Sequence, residues 1–274
     1  MQNNRLVMVA AAVVILAGIV WAVFFHRDGA KAVESSTGEA SAPQLFEEAG
    51  RLDADGQKVQ AKELYAKIVE EHPDYDKVAE VQDKLGRLNL DIITSNTQTS
   101  QSIQHEVVPG DSLGKLAKQY NTTKELIKKS NGLKSDVIRV GQTLRIWNAP
   151  FSVLVSKSQN TLTLKDGGEI VKIYRVSTGA NNITPVGTFK IATKLVHPVW
   201  FKPGGPPVAP ESPDNLLGTR WMGFAEDPHY GIHGTIEPDK IGTQVTAGCV
   251  RMRNNEVEEL FDLLPVGAQV VIQN

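Results

Sequence analysis

The chain has 274 residues, with 29 Lys+Arg against 31 Asp+Glu and a formal net charge of -2. That length suits one large domain or two to three small ones, and the charge balance speaks against a nucleic-acid partner, which would draw on a basic surface. One cysteine excludes a disulfide framework and a cysteine-rich zinc site. From Leu6 to Phe25 run twenty residues without a charge. As a helix they span ~30 Å, the thickness of a bilayer core. Arg5 precedes the run and favours a cytoplasmic N-terminus, so residues 1–27 are expected to be a cytoplasmic tip and a single-pass membrane anchor. The alternative is a cleaved signal peptide. It would carry only ~7–15 apolar residues before a small-residue cleavage site, whereas this run ends in Val23-Phe24-Phe25-His26.

Residues 28–43 are small and polar and read as a linker. The apolar spacing then turns helical through residues 44–93. Leu45, Ala49 and Leu52 mark one helix, and Ala61, Tyr65 and Ile68 a second that stops at His72-Pro73. Val78, Val81, Leu85 and Leu88 mark a third. The first two resemble a single tetratricopeptide repeat. One repeat is too short for a solenoid, so the segment is expected to be a helical spacer or a docking element for a protein partner. Residues 94–103 form a second polar linker.

Residues 104–147 read as strand, two helices, strand. Pro109-Gly110-Asp111 is a turn, with Asp111 or Ser112 as the first helix's N-cap. Thr122-x-x-Glu125 is a capping box for the second helix, and Asn131-Gly132 ends it. The runs VVPGDSLGKLAKQY, SNGL and IRVGQTLRI resemble a lysin motif (LysM). That resemblance implies binding of N-acetylglucosamine-containing glycan strands, as in peptidoglycan. The sugar is then expected along the loop holding Gly110, Asp111 and Ser112 and the loop holding Asn131 and Gly132.

Residues 150–274 are β-rich. Val153 and Val155, Leu162 and Leu164, then Val171, Ile173 and, with a shift, Val176 alternate with polar residues. Asp166-Gly167 marks a hairpin. Residues 198–213 hold six of the fourteen prolines and are expected to form an irregular lid carrying Trp200. One helix follows, with Val257, Leu260, Phe261 and Leu264 on one face and Asn254 or Asn255 as its cap, before a last strand at Gln269–Ile272.

The only cysteine lies in Thr246-Ala247-Gly248-Cys249-Val250-Arg251. A thiol is a weak nucleophile at neutral pH unless a base removes its proton. His233, flanked by Ile232 and Gly234, is the candidate base. Gly248 leaves room for a carbonyl beside the Cys249 amide. The alternative is a cysteine buried as a small apolar side chain. His229 and His233 have i, i+4 spacing, but Gly231 and Gly234 oppose a helix. A strand would hold the pair ~13 Å apart, so no metal and no cofactor are expected.

His233-Gly234 followed by Thr246-x-Gly248-Cys249-Val250-Arg251 resembles the L,D-transpeptidase catalytic domain. Thr184-Pro185-Val186-Gly187-Thr188-Phe189 and Asn215-Leu216-Leu217-Gly218-Thr219-Arg220 extend the resemblance, with Leu216 in place of a proline and Ala247 in place of a second histidine. The resemblance implies a mainly β, sandwich-like domain in a multidomain chain; the Leu6–Phe25 run is then expected to hold the chain at the bacterial cytoplasmic membrane with its C-terminal domains on the outer, cell-wall side. It implies Cys249 as nucleophile, His233 as base held by a carbonyl near Gly234, and Gly248 and Arg251 shaping the site. Trp200, Tyr230 and Thr246 are expected to contact a peptidoglycan stem. The implied reaction is a 3→3 crosslink made through a thioester. Water taking the acceptor's place would make the enzyme an L,D-carboxypeptidase or endopeptidase, and a non-catalytic wall-binding anchor would have no use for Cys249.

Overall fold

Residues 40–274 are described by the computed structural model, so the span expected at Leu6–Phe25 lies outside the described residues. Among the described residues no helix is long and apolar enough to cross a membrane.

Three helices come first: α1 (Ala42–Ala54), α2 (Lys58–Glu71) and α3 (Val78–Thr94). Ser41 and Gln44 close a capping box at the start of α1. Leu45, Ala49, Ala61, Tyr65, Ile68, Val81 and Leu88 bury one apolar face into a shared core. The next module pairs β1 (Ser102–Glu106) antiparallel with β2 (Thr143–Trp147), and α4 (Leu113–Gln119) and α5 (Lys124–Ser130) lie between them in sequence. Ser112 caps α4 by accepting the Lys115 amide at 3.3 Å. At α5 the cap is Thr123, which accepts the Leu126 amide at 2.9 Å, and not Thr122 as the spacing predicts. The shift has a tertiary cause: the Thr123 hydroxyl also donates to the carbonyl of Asp262 in the last helix.

The remaining strands are β3 (Phe151–Ser156), β4 (Thr161–Asp166), β5 (Glu169–Arg175), β6 (Thr178–Gly179), β7 (Gly187–Val196), β8 (Arg220–Phe224), β9 (Gly231–His233), β10 (Gln244–Thr246), β11 (Val250–Arg251) and, after α6 (Asn254–Leu263), β12 (Gln269–Gln273). Eight of them form one sheet in the order β11-β9-β8-β7-β12-β3-β4-β5, and β6 pairs with β10 apart from it. Leu162 and Tyr174 near one end of the sheet share a core with Met222 and Ile232 near the other and with Val257 and Leu260 of α6. A single sheet reaches such an arrangement by curling, so the sandwich-like expectation is met by one folded-over sheet. Ile173, expected inside, is 44% exposed, while Val171 and Tyr174 are buried. The register between β4 and β5 shifts at Leu164/Lys165, and this bulge moves the alternation by one residue.

The helical segment is docked on the chain itself. Leu90 and Ile93 of α3 join the core of the curled sheet. On the same helix, Asn89 Nδ2 donates to the carbonyls of Val171 at 2.8 Å and Ile170 at 3.4 Å on the edge strand β5. A helix so placed covers a sheet edge that would otherwise invite a foreign strand. Arg145 of β2 is only 1% exposed. Its guanidinium donates to the carbonyls of Ile93 at 2.9 Å and Ile92 at 3.2 Å, the electronegative C-terminus of α3. Lys129 of α5 adds an ion pair of 2.6 Å to Asp262 of α6. Asn89→Ala is therefore expected to lower unfolding free energy by about 1–2 kcal/mol, measured by chemical denaturation, because it strips the donor from two strand carbonyls.

Candidate active site

Cys249 immediately precedes β11, which runs parallel to β9 with Val250 opposite Ile232 and Arg251 opposite His233. The short strands therefore bring the cysteine loop and the histidine side by side from positions sixteen apart in sequence. Gly248 holds φ at +122°, and a Cβ there would lie 2.2 Å from Tyr230 Cε1. Tyr230 thus packs on the cysteine loop itself. Thr246 is buried, and its hydroxyl donates to the Cys249 carbonyl at 2.7 Å while accepting the Gly248 amide at 3.2 Å. It shapes the loop and is not the open substrate contact expected of it. It also engages the Gly248 N–H, which leaves the Cys249 N–H as the loop's donor toward a developing oxyanion. Gly248→Ala is expected to cost about 1–3 kcal/mol in thermal unfolding and most of the turnover, since alanine must leave both this φ and this contact.

His233 is 4% exposed. Its Nδ1 lies 2.7 Å from the carbonyl of Gly234. A carbonyl only accepts, so Nδ1 carries the proton and Nε2 is left with the lone pair of a general base. Trp221, directly opposite across β8 and β9, stacks on the imidazole with centroids 5.9 Å apart and planes 25° apart. Burial, reinforced by the Arg251 cation, lowers His233 to about 4, against the pull of the Gly234 hydrogen bond. Burial also raises the Cys249 thiol to about 11, with a backbone bond at Gly231 and the Arg251 cation opposing the rise. The resting pair is thus a neutral imidazole and a neutral thiol. The half-buried sulfur points to the His229 carbonyl at 3.7 Å, not to His233.

Arg251 is buried and gives Nη1 to Glu237 Oε2 at 2.9 Å. Glu237 is held below the usual carboxylate range first by its hydrogen bond from Lys240 and then by Arg251. Trp200 is brought not to Cys249 but to a cleft of about 600 Å³ whose wall includes Val208, Asp214, Ile236 and Glu237. Trp200 and Val208 bridge across the proline-rich segment by two backbone bonds of 3.0 and 2.8 Å. Asn215 clamps its base by donating to the carbonyls of Pro198 at 2.9 Å and Ala209 at 3.1 Å.

In the βααβ module, Asn131 and Gly132 line a polar cleft with Asn96, Gln98 and Gln104, while Gly110, Asp111 and Ser112 do not line it. The Asn131 amide is tied to β2, donating to the Arg145 carbonyl and accepting its N–H, each at 2.7 Å. The Asp111 carboxylate accepts the Val108 amide at 2.9 Å and contacts His105 Nε2 at 2.9 Å. Both side chains hold the module together through these bonds. Among the described residues no cluster of three or more metal-ligating side chains occurs, and His229 faces Asp227.

Sequence reading did not find Trp221, Glu237 or the role of Asn254, whose Oδ1 accepts the amides of Thr219 at 3.2 Å and Thr235 at 3.0 Å. Asn254 or Asn255 was expected as the helix cap. Asn254 occupies the first position of α6 instead, and Arg253 is the N-cap with no side-chain bond. The Gly218 and Gly234 that flank it are the one sequence signal for such a close approach.

Residues 150–272 match the L,D-transpeptidase catalytic domain family (YkuD), and residues 105–147 match the LysM domain family. YqjB of Bacillus subtilis (strain 168), named as an L,D-transpeptidase, is 38% identical over 125 residues, 44% of this chain and 69% of its own length. YkuD of Bacillus licheniformis, named likewise, is 32% identical over 178 residues, 62% of this chain and 98% of its own. The solved L,D-transpeptidase 3 of Mycobacterium tuberculosis aligns at a TM-score of 0.39 and 16% identity, over 49% of this chain and just under two thirds (66%) of that one. With both domains matched in order and a relative matched along nearly its full length, the chain belongs to the L,D-transpeptidase family.

Proposed function

We propose that the protein is a membrane-anchored peptidoglycan L,D-transpeptidase that forms 3→3 crosslinks through a cysteine thioester. The observation that carries the reading is His233 locked by Nδ1–H to the Gly234 carbonyl, with Nε2 free as a base beside the strand that presents Cys249. On substrate binding the thiol turns from the His229 carbonyl toward Nε2; such bonds commonly tighten only in the Michaelis complex. The sulfur attacks the carbonyl between the third stem residue and D-Ala, and its proton passes to Nε2. The imidazolium then protonates the leaving amine of D-Ala, and a thioester remains on Cys249. A side-chain amine of a second stem attacks the thioester, loses its proton to Nε2, and releases the thiolate, which is reprotonated.

The neutral resting pair suits this cycle. A buried ion pair would cost desolvation before substrate arrives, whereas here charge develops only as the bond forms. The LysM module would hold glycan strands close, the Leu6–Phe25 anchor would hold the enzyme at the membrane, and both would raise the local stem concentration. The test is incubation of the full chain with a purified tetrapeptide stem, followed by mass analysis. A crosslinked dimer with loss of one D-Ala is expected. Loss of D-Ala without a dimer would show a hydrolase, and an unchanged stem would overturn the enzymatic reading.

A further inference from the structure

Three backbone segments meet at one side-chain oxygen. Asn254 Oδ1 accepts the N–H of Thr219, just before β8, and the N–H of Thr235, just after β9. Both partners are donors, so the amide's orientation is settled: the oxygen faces them. The approach is close on both sides, because a Cβ on Gly218 or on Gly234 would come within 2.2 Å of the same oxygen. Gly218 sits at φ +64°, a conformation that favours glycine on its own account. The Thr235 amide shares its peptide unit with the Gly234 carbonyl, the group that accepts the His233 Nδ1 proton at 2.7 Å. One planar peptide is therefore fixed at its N–H by Asn254 and orients the imidazole through its C=O.

We propose that Asn254 is a positioning residue for the catalytic histidine: by anchoring the Gly234–Thr235 peptide it fixes the carbonyl that selects the Nδ1–H tautomer of His233. The inference rests on His233 being the general base. A hydrogen bond that merely stabilised the start of α6 would lie within the helix. This one leaves the helix and ends on the segment that enters β8 and on the segment that follows His233 at the end of β9. Without it the Gly234 carbonyl is free to rotate, the proton redistributes between the ring nitrogens, and the fraction of His233 with a basic Nε2 falls.

The test uses the full chain labelled with ¹⁵N-histidine. The His233 signals are assigned by their loss in His233→Gln, and the rate of Cys249 acylation by a carbapenem is followed by mass. Wild type is expected to show the Nδ1–H tautomer. Asn254→Ala is expected to show a tautomer mixture and an acylation rate about 10- to 100-fold lower. Asn254→Asp keeps an oxygen acceptor and should recover most of the rate and the single tautomer. Should alanine prevent folding, Asn254→Ser, with a shorter acceptor, is expected to give an intermediate rate. A wild-type tautomer and rate in Asn254→Ala, or in Asn254→Ser where alanine does not fold, overturns the proposal. So does an aspartate variant as slow as alanine at the same melting temperature. A wild-type chain that takes no adduct contradicts the nucleophile reading instead, and the tautomer spectrum still decides the role of Asn254.

Discussion

Cys249→Ala is expected to lower turnover of a tetrapeptide stem by about 10⁴-fold or more, while binding of glycan strands stays at the wild-type level. The two effects separate because the two sites do. The LysM module closes its own core on Val107, Leu113, Leu116, Ile127, Leu144 and Ile146, none of which belongs to the core around Cys249. Alanine removes one sulfur atom from a half-buried position whose polar contacts are weak ones to backbone, a 3.7 Å approach to the His229 carbonyl and a bond at Gly231. Stability should therefore change little, and the loss is chemical. Stem turnover and pull-down on peptidoglycan sacculi, measured on the same preparation, check both halves. Turnover that survives the substitution would refute the nucleophile.

The second large effect is in pH. Cys249 is the only thiol of the chain, so iodoacetamide labelling reports on it alone. With the thiol raised to about 11 and His233 lowered to about 4, neither group ionises the other in the free enzyme. The labelling rate is expected to climb about tenfold per pH unit from about pH 6 to pH 9, with no plateau. A thiolate–imidazolium pair would plateau in that range, and a plateau would contradict the neutral pair. The same lowered histidine fixes the sign of an effect on stability. The folded protein refuses a proton that the unfolded chain accepts below its ordinary value of 6.5. Stability should therefore fall as pH drops from about 6.5 to about 4, by about 3 kcal/mol from this residue. His233→Gln should remove that part of the acid loss in denaturant titrations.

Patterns of short range were legible in the sequence. The helical segment, the βααβ module, the hairpin at Asp166-Gly167 and the irregular proline-rich stretch all follow from local spacing and turn chemistry. The proposed nucleophile and base were legible as residue types in motifs that carry Gly248 and Gly234, and the structure adds the physical reason for those glycines: a φ of +122° and a contact with Tyr230 at Gly248, and a close approach to Asn254 at Gly234. What was not legible depends on partners far along the chain. Trp221 reaches His233 only through strand register, and Arg251 finds Glu237 fourteen residues upstream. Asn254 has every local property of a helix cap, yet tertiary donors claim its oxygen. Ile173 faces out because a bulge, invisible to period-two counting, displaces the register. Protonation states were least legible of all, since burial sets them and no motif encodes burial.

The nucleophile itself is tested most directly by mixing the full chain with a carbapenem, a class of compound expected to acylate L,D-transpeptidases, and mapping the product by mass. A single adduct is expected on the peptide containing Cys249 in wild type, and none in Cys249→Ala. A wild-type chain that remains unmodified at Cys249, or an adduct that persists in the alanine variant, would contradict cysteine acyl-transfer as its chemistry.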